Sequence, residues 1–79
     1  MTIDYKLVVS ELKKDLKRLA NEDAEFRKNI CQGAQTNKLL VSSMTVQHLT
    51  YVSALNDALK ATSEKYHTEY EPIPPIFGE

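Results

Sequence analysis

The sequence has no tryptophan, one cysteine, two glycines and three prolines among its 79 residues. A single cysteine, Cys31, excludes an internal disulfide and a zinc site built from four thiolates. The scarcity of glycine and proline excludes a collagen-like chain, and 42% hydrophobic residues exclude a low-complexity or fully disordered one. The composition therefore indicates one small globular domain that is held together by side-chain packing.

The chain also lacks an excess of either charge and any long hydrophobic run. Its formal net charge is −1, whereas a dedicated polyanion binder is usually strongly basic, so we expect no DNA binding. No run reaches the roughly 18 apolar residues that a membrane span needs, and the first residues do not form a basic leader ahead of an apolar region. The pattern predicts a cytoplasmic protein that does not enter membranes.

Motifs that carry catalysis are missing as well. The sequence contains no HExxH pair, no glycine-rich phosphate loop and no GK[ST] triplet. Nothing near Cys31 would convert its thiol into a nucleophile. We therefore predict a protein that is not an enzyme, with no catalytic residues, no metal site and no cofactor.

The first helix is indicated by apolar residues spaced alternately four and three apart, which is a helical rather than a strand pattern. Asp4 is a good N-cap, and Ala20 and Asn21 mark the predicted end, so this helix is short. The residues that form the apolar seam are Tyr5, Val9, Leu12, Leu16 and Leu19.

A second seam, with a spacing near 3.5, runs from Phe26 to Tyr66 and predicts one long helix. Two interpretations stay open at Gly33. Either Gly33 ends a helix and Thr36 caps a third one, or a single helix continues from about residue 22 to about residue 67. The predicted fold is all-α, a short helix plus one long helix that is either continuous or interrupted at Gly33, arranged as a helical hairpin or as three helices.

Residues 29–56, which we call the uncharged segment, contain a single charged side chain, Lys38. At the chain's average of 27% charged residues, about seven or eight would be expected there. A helix on the surface of a monomer normally keeps one charged face, whereas here the outer positions are hydroxyls and amides. Either this outer face happens to be neutral and solvated, or other chains cover it.

The length of the predicted long helix favours covering by other chains. A helix over residues 36–67 would be about 48 Å long at 1.5 Å per residue, whereas a globule of this size is roughly 30 Å across. The short first helix would cover only about half of it. We therefore predict a homo-oligomer, and its interface residues are Leu40, Met44, His48, Tyr51 and Leu55.

His48 lies within this seam and has two possible roles. A buried histidine is usually a polar core group that sets the register of neighbouring helices. Alternatively, it is a pH-sensitive or ligand-facing group in an oligomer cavity.

The C-terminal residues form a separate segment because Pro72, Pro74 and Pro75 are incompatible with a helix. We predict a helical domain over residues 1–71 and an extended proline-rich tail over residues 72–79. The tail either folds back over its own oligomer or enters a groove of a partner. Its predicted docking residues are Ile73, Ile76 and Phe77.

These observations predict a small accessory protein, a helical homo-oligomer that binds another protein as a regulatory adapter or inhibitor. The alternative is an oligomer that sequesters an anionic small molecule, such as a nucleotide, between its subunits. The cations predicted to contact an anionic ligand or partner are Lys13, Lys17, Arg18 and Lys38.

Overall fold

Two helices packed as a hairpin form the body of the protein. The computed structural model describes residues 2–33 and 37–77. Helix α1 spans Tyr5–Gln32 and helix α2 spans Lys38–Lys65, and the described residues contain no strand. The molecule is elongated, with extents of 56 × 17 × 14 Å. The predicted all-α class and the helical hairpin are confirmed.

Helix α1 begins where the sequence predicts. The side chain of Asp4 accepts hydrogen bonds from the backbone amides of Lys6 at 3.1 Å and Leu7 at 3.3 Å. These amides have no partner inside the helix, and the N-cap carboxylate satisfies them.

The predicted end of the first helix at Ala20 and Asn21 is wrong, since α1 continues through both residues to Gln32. Ala20 is 0% exposed and Ala24 is 2% exposed, so the buried face of α1 extends past the predicted end. Asn costs at most about 0.7 kcal/mol relative to alanine within a helix. Tertiary packing of an amphipathic face outweighs that cost. The first helix is therefore as long as the second, 28 residues each.

The interruption near Gly33 separates the two helices. Gly33 caps the C-terminus of α1, and its backbone N–H donates to the carbonyl of Cys31. Asn37 caps the N-terminus of α2, and its side chain accepts from the amide of Leu40 at 3.1 Å. The predicted cap at Thr36 lies outside the described residues. A continuous helix over residues 22–67 and a three-helix arrangement are both wrong, because α1 and α2 are two antiparallel helices.

The core forms along the line where the two helices face each other. At one end the rings of Tyr5 and Tyr66 stack with centroids 4.6 Å apart, which shows the antiparallel pairing. Among the described residues, Leu59 and Ile73 have large, fully buried side chains, each 1% exposed. The buried residues of the core cluster are Val9, Leu16, Ala20, Val52, Leu55, Leu59 and Ile73.

Residues 66–77 turn back along the hairpin without forming a helix. His67, with φ of 56°, adopts the left-handed region that reverses the chain after α2. Ile73 is 1% exposed, Phe77 is 9% exposed and Ile76 is 36% exposed. Two of the three residues predicted to dock are thus buried against the chain's own helices, and the third is on the surface.

Candidate functional site

A chain of hydrogen bonds joins the two helices where the tail reaches them. Oδ2 of Asp23 in α1 accepts from Nε of Arg27 at 2.8 Å and lies 2.7 Å from Nδ1 of His48 in α2. Nη1 of Arg27 donates to Oε1 of Gln47 at 2.7 Å. His48 is 0% exposed, so the Asp23–His48 end of this network lies in the interior of the hairpin, whereas the Arg27–Gln47 bond lies at its surface.

The tail determines which nitrogen of His48 carries the proton. The backbone N–H of Ile76 donates to Nε2 of His48 at 3.1 Å, so Nε2 is an unprotonated acceptor. Nδ1 therefore carries the hydrogen and donates it to the Asp23 carboxylate, an assignment that follows from the hydrogen-bond pattern. The Phe77 ring stands edge-on to the imidazole, with centroids 6.1 Å apart.

Asn56 holds the tail at a second point. Its Nδ2 donates to the carbonyl oxygen of Ile73 at 2.9 Å, and its Oδ1 accepts from the amide of Ile73 at 2.7 Å. This pair of bonds satisfies both backbone groups of one extended residue, whose side chain enters the core. In the described residues no buried side-chain nitrogen or oxygen lacks a hydrogen-bond partner.

The pKa of Asp23 reflects two opposing effects. Burial raises this pKa, while the hydrogen bonds from Arg27 and His48 and the positive charge of Arg27 lower it, and the balance holds it below the ordinary 3.8. The ionised carboxylate is therefore stabilised by folding.

This lowered pKa predicts acid destabilisation. The pKa of Asp23 is lower in the folded state than in the unfolded state. The carboxylate therefore contributes fully to the free energy of unfolding above about pH 3.8, and this contribution is lost as the pH falls through the folded pKa. We expect the free energy of unfolding, measured by urea denaturation at decreasing pH, to fall below about pH 4 less steeply in Asp23→Asn than in the wild type. Asp15→Asn is the control because Asp15 is exposed and its ion-pair partner, Arg18, is 4.0 Å away, which makes a weak pair. Equal slopes in Asp23→Asn and wild type would contradict the prediction.

The five residues predicted to form an oligomer interface separate into two groups. His48 and Leu55 are buried inside the hairpin and therefore unavailable to another chain. Leu40, Met44 and Tyr51 are half-buried, and Tyr51 packs against the edge of the core cluster.

The tail and these half-buried residues lie on opposite sides of the hairpin. The tail contacts α1 at Lys13, whose Nζ is 2.7 Å from Glu71, and α2 at Asn56. Successive residues of a helix are rotated by about 100° around its axis. Leu12 precedes Lys13 by one residue and Tyr51 precedes Asn56 by five. Both therefore lie on the other side of the line along which the two helices meet. We call this side the open face. Its apolar residues are Leu12, Leu19, Phe26, Leu40, Met44 and Tyr51.

The predicted anion-binding cations are not brought together within one chain. Lys13 pairs with Glu71, Arg18 lies 4.0 Å from Asp15, and Lys17 is exposed. Lys38 is exposed at the start of α2, roughly 30 Å from Lys13 if measured along the hairpin at 1.5 Å per residue. A site that used both would need more than one copy of the chain.

A depression of about 330 Å³ lies beside Lys13, at the end of the hairpin where the tail begins. Lys6 and Lys13 line it, but so do Glu69 and Glu71. Its mixed charge does not favour a polyanion.

Other classes of site receive no support from the geometry. In residues 2–33 and 37–77, no three His, Cys, Asp or Glu side chains lie close enough together to hold a metal ion. No helix within that part of the chain is long and apolar enough to cross a membrane.

Sequence reasoning missed four residues of the site, namely Asp23, Arg27, Gln47 and Asn56. The spacing of Asp23 and Arg27 is a usual helical ion pair, so this half of the network had a sequence signal. Asn56 had none, because its partner, Ile73, is 17 residues away in a segment without regular structure.

Comparison with known proteins assigns no family. No family model matches the chain, and neither the curated proteins nor the solved structures give a significant match.

Proposed function

We propose that the protein is a non-enzymatic interaction protein that self-associates through its open face and acts by binding another protein, as an adapter or inhibitor. The observation that carries this proposal is the open face itself. It is an apolar surface along both helices that the tail leaves uncovered.

The open face has the spacing of a helix-packing surface. Leu12, Leu19 and Phe26 follow one another at intervals of seven in α1, and Met44 and Tyr51 do so in α2. Such intervals are typical of helices that pack side by side in bundles and coiled coils. Phe26 is 63% exposed in the single chain, so this seam continues beyond what the hairpin itself covers.

The charge distribution favours a second copy as the occupant. Residues 39–56 of α2 contain no Lys, Arg, Asp or Glu, so another copy's α2 could approach without burying an unpaired charge. The helix is lined beside the open face by small or neutral residues, Ser43, Gln47, Ala54 and Ala58. The hairpin measures 56 × 17 Å in projection, which is enough for a standard interface of roughly 800 Å² per partner.

A different surface remains available for a protein partner once two copies pair. Leu39 is 82% exposed and Val46 is 61% exposed, and they lie seven residues apart on the outer side of α2. This outer pair points away from the core and from the open face. We assign the contact with another protein to it.

Two variants test the two surfaces against each other. Phe26→Glu should lower the particle mass in size-exclusion chromatography with light scattering, because it places an unpaired charge within the paired open faces. The double variant Leu39→Glu/Val46→Glu should keep the wild-type mass but lose proteins that the wild type captures from a native lysate. Leu7→Glu is the control for both, since Leu7 is 59% exposed on the outer side of α1.

The results can contradict each half separately. If the wild-type chain has the mass of a monomer even at high concentration, the proposed self-association is wrong. If the Leu39→Glu/Val46→Glu variant captures the same proteins as the wild type, the outer pair is not the surface that binds the partner.

A further inference from the structure

The junction between the tail and the hairpin depends on the protonation state of one imidazole. Both ring nitrogens of His48 are engaged and the side chain is 0% exposed. Nδ1 donates to Asp23, and Nε2 accepts the backbone N–H of Ile76 at 3.1 Å. The second bond exists only while Nε2 has no proton.

Protonation reverses the role of Nε2 and leaves the rest of the network in place. An imidazolium has two donors, so Nε2–H would face the N–H of Ile76, and neither hydrogen would have an acceptor. Nδ1 would still donate to Asp23. The Asn56 bonds to Ile73 involve no titratable group.

The charges around His48 do not offer a second acceptor. From α1 the facing groups are Asp23 and Arg27, which are already paired with each other at 2.8 Å. Residues 39–56 of α2 have no Lys, Arg, Asp or Glu, and the only other titratable group there is the Tyr51 phenol. Residues 72–77 of the tail carry no charged side chain. Water is therefore the available acceptor for Nε2–H, and it reaches Nε2 only if the tail moves away.

We propose that residues 74–77 form a proton-sensitive strap, which His48 holds when neutral and releases when it is protonated at Nε2. Asn56 keeps Ile73 in place, so the release is local and the hairpin stays folded. Release removes Phe77 from the His48 ring and uncovers the side of the hairpin opposite the open face. This inference concerns a different surface from the proposed self-association and does not depend on it.

Nuclear magnetic resonance on the ¹⁵N-labelled full chain between about pH 8 and pH 5, the range in which histidines commonly titrate, tests the strap. We expect the Nδ1–H tautomer of His48 at the upper end. Where the ¹⁵N shifts of the imidazole show a proton on Nε2, the exchange protection of the Ile76 amide, corrected for the intrinsic effect of pH, should be at least tenfold lower. The protection of the Leu59 amide, in the C-terminal third of α2, should not change.

Two variants separate the strap from a general effect of acid. His48→Gln supplies a side-chain oxygen in place of Nε2 and does not titrate, so Phe77 should stay packed throughout the range. Ile76→Pro removes the amide hydrogen at a position that is 36% exposed, so the Phe77 ring signals should lose their dependence on His48 protonation. Should His48→Gln fail to fold, Ile76→Pro and the wild-type titration still decide the question.

Three results would overturn the strap. These are an Ile76 amide that stays protected after His48 is protonated, a loss of protection at Leu59 with the same midpoint, and Phe77 signals that respond to pH equally in wild type and Ile76→Pro.

Discussion

Replacing Asp23 by alanine should lower the free energy of unfolding by about 2–4 kcal/mol. The substitution removes the carboxylate that pairs with Arg27 at 2.8 Å and with His48 at 2.7 Å, and it leaves both donors without that acceptor. The Asp23 and Arg27 side chains are only 14% and 15% exposed, so water replaces the lost bonds poorly. Removing one partner of a buried ion pair typically costs 3–5 kcal/mol, and the partial exposure here places the value somewhat lower.

Asp15→Ala is the matched control, because it removes an aspartate from the same helix. Asp15 and Arg18 are 69% and 65% exposed, and their closest charged atoms are 4.0 Å apart. An exposed pair of this kind contributes about 0–1 kcal/mol. Chemical denaturation near neutral pH measures both variants. If they lose the same stability, the Asp23 network does not hold the helices together.

Replacing Ile73 by alanine should cost about 2–4 kcal/mol and detach the tail. Ile73 is 1% exposed and belongs to the same core cluster as Leu59 and Val52. Truncation of a buried isoleucine to alanine removes its burial and leaves a cavity, which together typically cost 2–5 kcal/mol. The Asn56 bonds go to the backbone of residue 73, so after the side chain is lost only these bonds, the His48–Ile76 bond and the exposed Lys13–Glu71 pair would hold the tail by polar contacts.

Ile76→Ala makes the same chemical change in the same segment, at a position that is 36% exposed. It keeps the backbone N–H that His48 accepts and should cost less than about 1 kcal/mol, since surface substitutions seldom exceed about 0.5 kcal/mol. Thermal and urea unfolding, together with the Phe77 ring signals, distinguish the two variants. Equal stability of Ile73→Ala and Ile76→Ala would show that the tail contributes no core.

If Ile73→Ala behaves as expected, the tail is the third structural element of the fold. Two helices alone offer one packing seam, and small domains bury a limited fraction of their surface. The tail adds Ile73 and Phe77 to that seam from the side and satisfies polar groups of α2 through His48 and Asn56. It thereby leaves the open face as the uncovered apolar side.

The N-terminal half of α1 was predictable because its signals are local. The Asp4 side chain caps the helix by accepting from backbone amides two and three residues further along the chain. The seam from Tyr5 to Leu19 has a period that only a helix satisfies. The predicted end at Ala20 was wrong for an equally physical reason. Alanine favours a helix and asparagine disfavours one only weakly, so nothing local ends the helix there, and contacts with distant residues decided that it continues.

The interface residues illustrate the same difference. A seven-residue pattern placed Met44, His48, Tyr51 and Leu55 on one side of a helix, and they do share it. The pattern does not tell which members of a broad apolar stripe face the chain's own first helix. The antiparallel pairing of α1 with α2 assigned His48 and Leu55 to the interior and left Met44 and Tyr51 at its edge.

By itself, the sequence determined the helical class, the first N-cap and a middle third almost free of charge, because each depends on residue type and on neighbours within a few positions. Only the tertiary structure decided that His48 meets Asp23, 25 residues away, and that Asn56 binds Ile73, 17 residues away. Those contacts depend on how two long helices align and where the chain returns after α2. That alignment minimises exposed apolar surface and unpaired polar groups over the whole molecule, so no short stretch of sequence encodes it.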